Sequence, residues 1–297
     1  MNEARTVLGP VFCILYVVLY FTNKYVLSVL KFTYPTLFLG WQTFFGAVLL
    51  LVSGKLGWVE LSGFPRSAVL SWLPGSLLFW GNIYGGSRAL SSLPIPFFLT
   101  LHNASEVMSF LILKVTQRDR TSWQKVLSTL MLLVAAVCLI LRDPQPHAGG
   151  YMWAVLHLSC VGAYKVFQRR SKGSHLSDLE QQLINYVFSA LLLTSAAHPT
   201  GDLFGALEFP FLLSHKFHIG CFASALLGFC LLLASIRLKS SVPMDQVGAW
   251  VVVAKVLASG LSLFVFTVVI DLETLCCVVI SHTGEALSVY AERVQDR

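Results

Sequence analysis

Long apolar runs alternate with short polar breaks along the whole chain. Ten runs are long enough to be helices that cross a bilayer: about 8–30, 34–53, 68–92, 94–114, 123–141, 150–168, 180–198, 217–237, 244–270 and 272–291. A span of the hydrocarbon core needs roughly 20 apolar residues at 1.5 Å of rise each. The breaks hold the residues that end helices: "SGKLG", "RDPQPHAGG", "HPTGD" and "KSSVP". The pattern predicts an all-α polytopic membrane protein of ten transmembrane helices, a single transmembrane domain over residues 1–297. The connections are too short for a second, soluble domain.

Composition agrees. Of the 297 residues, 56% are hydrophobic and 12% charged, with a mean hydropathy of +0.71; soluble chains carry about 25% charged residues. The seven cysteines all lie in apolar runs without C-x-x-C spacing, so they read as small packing residues and not as a disulfide framework or metal site. "MNEARTVLGP" precedes an apolar stretch too long for a signal peptide, so a first span that stays is expected.

Charge sets the orientation. Fifteen of the 21 Lys and Arg, among them Arg118, Arg120, Lys172 and Arg297, fall on the side that holds both termini. Lys31, Arg142 and Lys216 fall on the other side, and Lys24, Arg88 and Lys255 fall inside spans. Positive charge marks the cytosolic face, so both termini are expected in the cytosol. The net charge of +6 follows from this bias and from contact with anionic lipid headgroups, with no nucleic-acid partner implied.

A repeat is visible. "LSSLPI" (Leu90–Ile95) and "LKSSVPM" (Leu238–Met244) align on Pro94 and Pro243, half the chain apart. Five helices per half is an odd number, so halves of about 1–145 and 146–297 would be two inverted five-helix repeats. Inverted repeats are a transporter architecture with the substrate site near the midplane. The same offset sets Glu106 opposite Lys255.

No enzyme motif survives inspection. "GNIYGGSR" (Gly81–Arg88) has P-loop glycines, but Ser87 stands where the lysine belongs. Gly81 and Gly85 read better as a close-packing helix face. There is no H-E-x-x-H, no G-x-S-x-G and no His/Cys cluster at metal spacing, so neither metal nor cofactor is expected.

What remains is polar residues inside spans: Lys24, Asn82, Arg88, His102, Asn103, Glu106, His157, Lys165, Asn185, Asp245, Lys255, His282 and Glu285. Such groups are costly in a bilayer and usually face the bundle interior or a cavity. Lys24, Arg88 and Lys255 give fixed positive charge suited to a phosphate or diphosphate. Glu106 would balance Lys255 or Arg88. His157 and His282 suit helix–helix hydrogen bonding. Lys165, Asp245 and Glu285 lie near span ends and suit contact with water. Phe12, Tyr16 and Tyr20 share one helix face, which serves packing or stacks on a nucleobase.

Several stretches resemble the nucleotide-sugar transporters of the drug/metabolite transporter superfamily, above all the GDP-mannose transporter branch. "TNKYVLS" (Thr22–Ser28) is similar to the first-helix T-N-K element, and "SRALSSLPIPFFLTLHN" (Ser87–Asn103) to S-K-A-L-Q-Y-L-x-V-P-I-Y-x-x-x-K-N. "GGYMWAV", "FQRRSK" and "GEALSVYAERV" resemble the sixth span, its basic exit and the family's end. The resemblance implies ten spans in a Golgi membrane (alternatively endoplasmic reticulum). It implies exchange of a cytosolic nucleotide sugar for a lumenal nucleoside monophosphate, with a homodimer compatible.

Two substrate signatures depart from the family. F-Y-N-N corresponds to Leu183, Ile184, Asn185 and Tyr186, and G-A-L-N-K to "GAWVV" from Gly248 and Ala249, where Val251 and Val252 replace Asn-Lys. Lys255 lies about one turn beyond and is placed to supply the charge. His102, beside Asn103, stands at the family's fourth-span lysine. The resemblance thus implies substrate contacts at Lys24, Arg88, His102, Asn103, Asn185, Tyr186, Gly248, Ala249 and Lys255. The departures point away from GDP-mannose, because a site built to pair one base rejects another. The best reading is an antiporter of UDP-N-acetylglucosamine for UMP. The alternatives are transport of GDP-mannose or another phosphorylated metabolite, and a non-transporting membrane scaffold or regulator.

Overall fold

The computed structural model describes residues 2–116, 122–171 and 176–295. Arg118, Arg120, Lys172 and Arg297 of the basic set lie outside the described residues. The fold is all-helical, 84% helix, with no strand among the described residues. In order the helices are α1 (Asn2–Lys24), α2 (Pro35–Lys55), α3 (Arg66–Ser92), α4 (Ile95–Asn103), α5 (Ser105–Thr116), α6 (Trp123–Arg142), α7 (Ala148–Arg170), α8 (Asp178–Ala197), α9 (Asp202–Leu207), α10 (His215–Ser241), α11 (Met244–Val265) and α12 (Leu272–Gln295).

Local chemistry sets the ends. Ser122 accepts from Lys125 N and caps α6. His147 Nδ1 accepts from Gly150 N and caps α7. Ser177 and Glu180 form a reciprocal capping box on α8. At the start of α12, the Thr274 hydroxyl and amide both donate to Asp271 and hold its carboxyl below its ordinary range. Pro94 and Pro243 precede α4 and α11 with closely similar dihedrals, φ −56°, ψ 149° and φ −58°, ψ 151°.

Seven helical segments are long and apolar enough to cross a membrane: Val7–Val29, Pro35–Lys55, Ile95–Thr116, Trp123–Arg142, His215–Ser241, Met244–Val265 and Leu272–Val294. The other long helices, α3, α7 and α8, have 27, 23 and 20 residues. They carry more polar side chains, and α3 packs on both α7 and α8, where Trp72 and Ser76 of α3 bond to Asn185 of α8.

Three features depart from the predicted runs. The fourth run breaks at Ala104 into α4 and α5. α1 continues into a π-helical turn, Tyr25–Val29. The short α9 lies in what the sequence reads as a loop. Breaks and π-turns are frequent where a helix serves function.

α4 is the innermost helix. Along Ile95–Asn103 every residue is buried except His102, which is half-buried. It lies against α7, α11, α12 and α6. A helix apolar on all sides belongs in an interior, and Phe97, Leu99 and Leu101 put it there.

The glycine face of α3 is a packing face, as its spacing suggests. A Cβ at Gly81 would lie 2.7 Å from Cys160 Sγ, and one at Gly85 3.1 Å from the His157 backbone nitrogen. α3 and α7 meet nearly backbone to backbone.

Candidate functional site

The break after α4 is the centre of a buried polar cluster. Asn103 Oδ1 accepts from Lys255 Nζ of α11 at 2.9 Å, and Asn103 Nδ2 donates to Ser281 Oγ of α12 at 3.2 Å. Lys255 also forms an ion pair with Glu285 of α12. Asn103, Lys255 and Glu285 are 1%, 3% and 7% exposed. His282 Nε2 lies 3.0 Å from Ser259 Oγ, so the cluster runs on between α11 and α12. A buried ammonium needs an anion and neutral acceptors, and here it has both.

One residue back, His102 turns toward α7. His157 Nδ1 is 2.9 Å from the Asn82 carbonyl, which only accepts, so this nitrogen carries a proton. His157 Nε2 then accepts from His102 Nδ1, also at 2.9 Å. His102 Nε2 is left as an acceptor with no partner among the described residues. Gly86 makes room for this relay: a Cβ there would lie 2.8 Å from His157 Nδ1.

An aromatic ladder leads to the same place. Tyr16 and Tyr20 stack at 4.6 Å, Tyr20 meets Phe98 at 6.1 Å, and Phe98 lies 4.9 Å from the His157 ring. Phe12 extends the ladder along α1, 6.1 Å from Tyr16. Aromatic faces beside charged and hydrogen-bonding groups suit a ligand with a flat base and polar substituents.

One turn further on, Glu106 of α5 pairs with Lys165 of α7 at 2.5 Å and Lys125 of α6 at 3.7 Å. Lys125 pairs in turn with Glu292 of α12 at 2.8 Å, and Arg169 reaches the same carboxylate at 3.0 Å. The expected pairing of Glu106 with Lys255 or Arg88 is therefore corrected. Two lysines nearer to it, on α7 and α6, take both of its oxygens, while Glu285 takes Lys255.

The predicted residues thus divide. His102, Asn103 and Lys255 come together, with Glu106 one turn away. Lys24 lies apart: it donates to the Leu90 and Leu93 carbonyls, 2.8 Å each, and ties α1 to the end of α3. Arg88 sits 5.8 Å from the Tyr84 and Trp153 ring centres, and its Nε has no hydrogen-bond partner. Asn185 is buried in a third place. It accepts from Trp72 Nε1 at 3.0 Å and Ser76 Oγ at 2.9 Å, and donates to the Tyr164 hydroxyl at 2.8 Å. Tyr186 lies against Gly46. Gly248 packs on Val289, and Ala249 is exposed.

Glu285 is the residue that sequence reasoning undervalued: its place toward a helix end suggests contact with water, yet it is buried. Lys165 keeps the partial exposure expected near a span end and pairs with Glu106. A signal was present: Ser281, Glu285, Ser288 and Glu292 recur at three- and four-residue spacing and form one polar stripe along α12.

No family model matches the chain. Relatives do. It is 54% identical over 285 residues to the "UDP-N-acetylglucosamine transporter TMEM241 homolog" of Xenopus laevis, covering 96% of each chain. It is 52% identical over 293 residues to the "UDP-N-acetylglucosamine transporter TMEM241" of Mus musculus, covering 99% of each. A "GDP-mannose transporter 2" of Emericella nidulans matches at 33% over 108 residues, 36% of this chain and 30% of that one. A solved crystal structure shares the fold, with a TM-score of 0.56 over 98% of this chain and 99% of that one, at 16% identity. The full-length relatives are transporters and not enzymes, and the chain belongs to the nucleotide-sugar transporter family.

Proposed function

We propose that this protein is a Golgi antiporter that carries UDP-N-acetylglucosamine from the cytosol into the lumen in exchange for UMP. The observation that carries the reading is the full-length likeness to two UDP-N-acetylglucosamine transporters at more than half identity. The likeness to GDP-mannose transporters is weaker, 33% identity over 36% of this chain in one and 23% over 80% of it in another.

The site chemistry supports an anionic, polyhydroxylated substrate. Lys255 and Asn103 suit phosphate oxygens. The His102 Nε2 acceptor suits a hydroxyl or N–H of the sugar or base. The aromatic ladder from Phe12 to Phe98 suits the uracil ring. In this reading α3, α7 and α8 also span, giving ten helices in two inverted halves with both termini cytosolic. The matched dihedrals at Pro94 and Pro243 support such a repeat. Glu106–Lys165 and Lys125–Glu292 each join the first half to the second and form a clamp on the cytosolic side. Reorientation breaks it.

Golgi vesicles from cells lacking the protein test this reading against vesicles from cells that express it. Uptake of labelled UDP-N-acetylglucosamine should require the protein, while GDP-mannose uptake should not change. Equal UDP-N-acetylglucosamine uptake in both, with the protein present in the expressing vesicles, would refute it.

A further inference from the structure

The cluster around Lys255 holds its own anion. We propose that Glu285 stands in for the substrate's phosphate: it neutralises Lys255 in the empty carrier and gives up that place when the nucleotide's phosphate arrives. The inference rests on the transport reading above and assigns within it a second role to the ion pair.

Three observations carry it. First, Lys255 is almost wholly buried and its only anionic partner among the described residues is Glu285. A buried ammonium without an anion is strongly unfavourable, so an empty site needs an internal counter-charge. Second, Glu285 is held by one oxygen only. Oε1 bonds Lys255, while Oε2 is buried with no hydrogen-bond partner. A carboxylate built purely for structure has both oxygens satisfied, as Glu180 does: its Oε1 accepts from Ser62 N at 2.7 Å and its Oε2 from Ser177 N at 2.8 Å. Third, the remaining ligand of Lys255 is the neutral Asn103 at the α4–α5 break, which belongs to the other half of the chain. An incoming phosphate that displaces Glu285 therefore meets a cation already oriented by Asn103. The carboxylate and the phosphate carry like charge and cannot share the ammonium in a dry site.

Competition of this kind predicts a gain on removing the competitor. Purified protein in nanodiscs, titrated calorimetrically with UMP and with uridine, tests it. Glu285→Gln should bind UMP about tenfold more tightly than wild type, a factor worth 1.4 kcal/mol. Uridine, which has no phosphate, should bind both proteins equally. Lys255→Met should lose the difference between UMP and uridine. Glu285→Asp, which withdraws the charge by one methylene, gives the same direction with a smaller gain if the Gln variant does not fold. Damage to folding would weaken both ligands together. UMP affinity unchanged or weakened in folded Glu285→Gln, with wild type binding UMP, would overturn the stand-in role and leave the transport reading intact. Wild type that binds neither UMP nor UDP-N-acetylglucosamine would overturn both.

Discussion

Asn103 has a small side chain that serves two helices at once, accepting a hydrogen bond from Lys255 and donating one to Ser281. Asparagine is suited to this because its amide carries both a donor group and an acceptor. Asn103→Leu keeps the branched shape and removes both bonds, so it should destabilise the fold by about 2 kcal/mol and lose most transport. The check is thermal unfolding of purified protein beside vesicle uptake. Lys255→Met leaves Glu285 buried without its partner and should cost about 3–5 kcal/mol. Lys255→Met with Glu285→Gln should fold better than Lys255→Met alone and still fail to transport. Asn185 offers a contrast. Among the described residues it bonds to Trp72, Ser76 and Tyr164, so it fastens α3 and α7 to α8. Asn185→Leu should therefore lower the melting temperature, while the protein that remains folded keeps its affinity for UDP-N-acetylglucosamine. A loss of affinity without a loss of stability would return Asn185 to the substrate site.

Hydrophobic periodicity located the long helices to within a few residues, since a run of twenty apolar positions has few alternatives in a bilayer. It was blind to the break at Ala104. No glycine or proline marks that turn, and the cause lies in the polar partners that Asn103 and Ser105 find on α7, α11 and α12. Periodicity also missed α9, a six-residue helix whose Asp202 accepts from the Thr36 amide and hydroxyl at the start of α2. The candidate site was partly legible. A histidine, an amide and a carboxylate within five residues of an apolar helix signalled an interior, but their partners are set by packing. Glu106 could be paired correctly only once α6 and α7 were seen to flank α5. The capping box on α8 was written in the chain as Ser177-x-x-Glu180. Ser177→Ala should lower stability by about 1 kcal/mol without changing transport, which thermal melts and uptake together can check.

At the scale of the molecule, charge is arranged in two levels that the two halves share. The deeper level is Lys255, Asn103 and Glu285. The shallower is Glu106, Lys165, Lys125 and Glu292, the bridge between halves on the basic side. Glu106→Lys should lose folding or transport, and Glu106→Lys with Lys165→Glu should recover part of it by restoring opposite charges. Glu106→Lys with Lys255→Glu should not, because these two side chains do not meet. The proposed exchange across the membrane unites the levels: in that proposal a loaded site neutralises its own cation and lets the halves rock. The most direct measurement is counterflow in proteoliposomes, with UMP inside and labelled UDP-N-acetylglucosamine outside. The account predicts uptake that requires internal UMP and disappears in Lys255→Met. Uptake equally fast with no internal nucleotide, or driven by GMP and not by UMP, would contradict it.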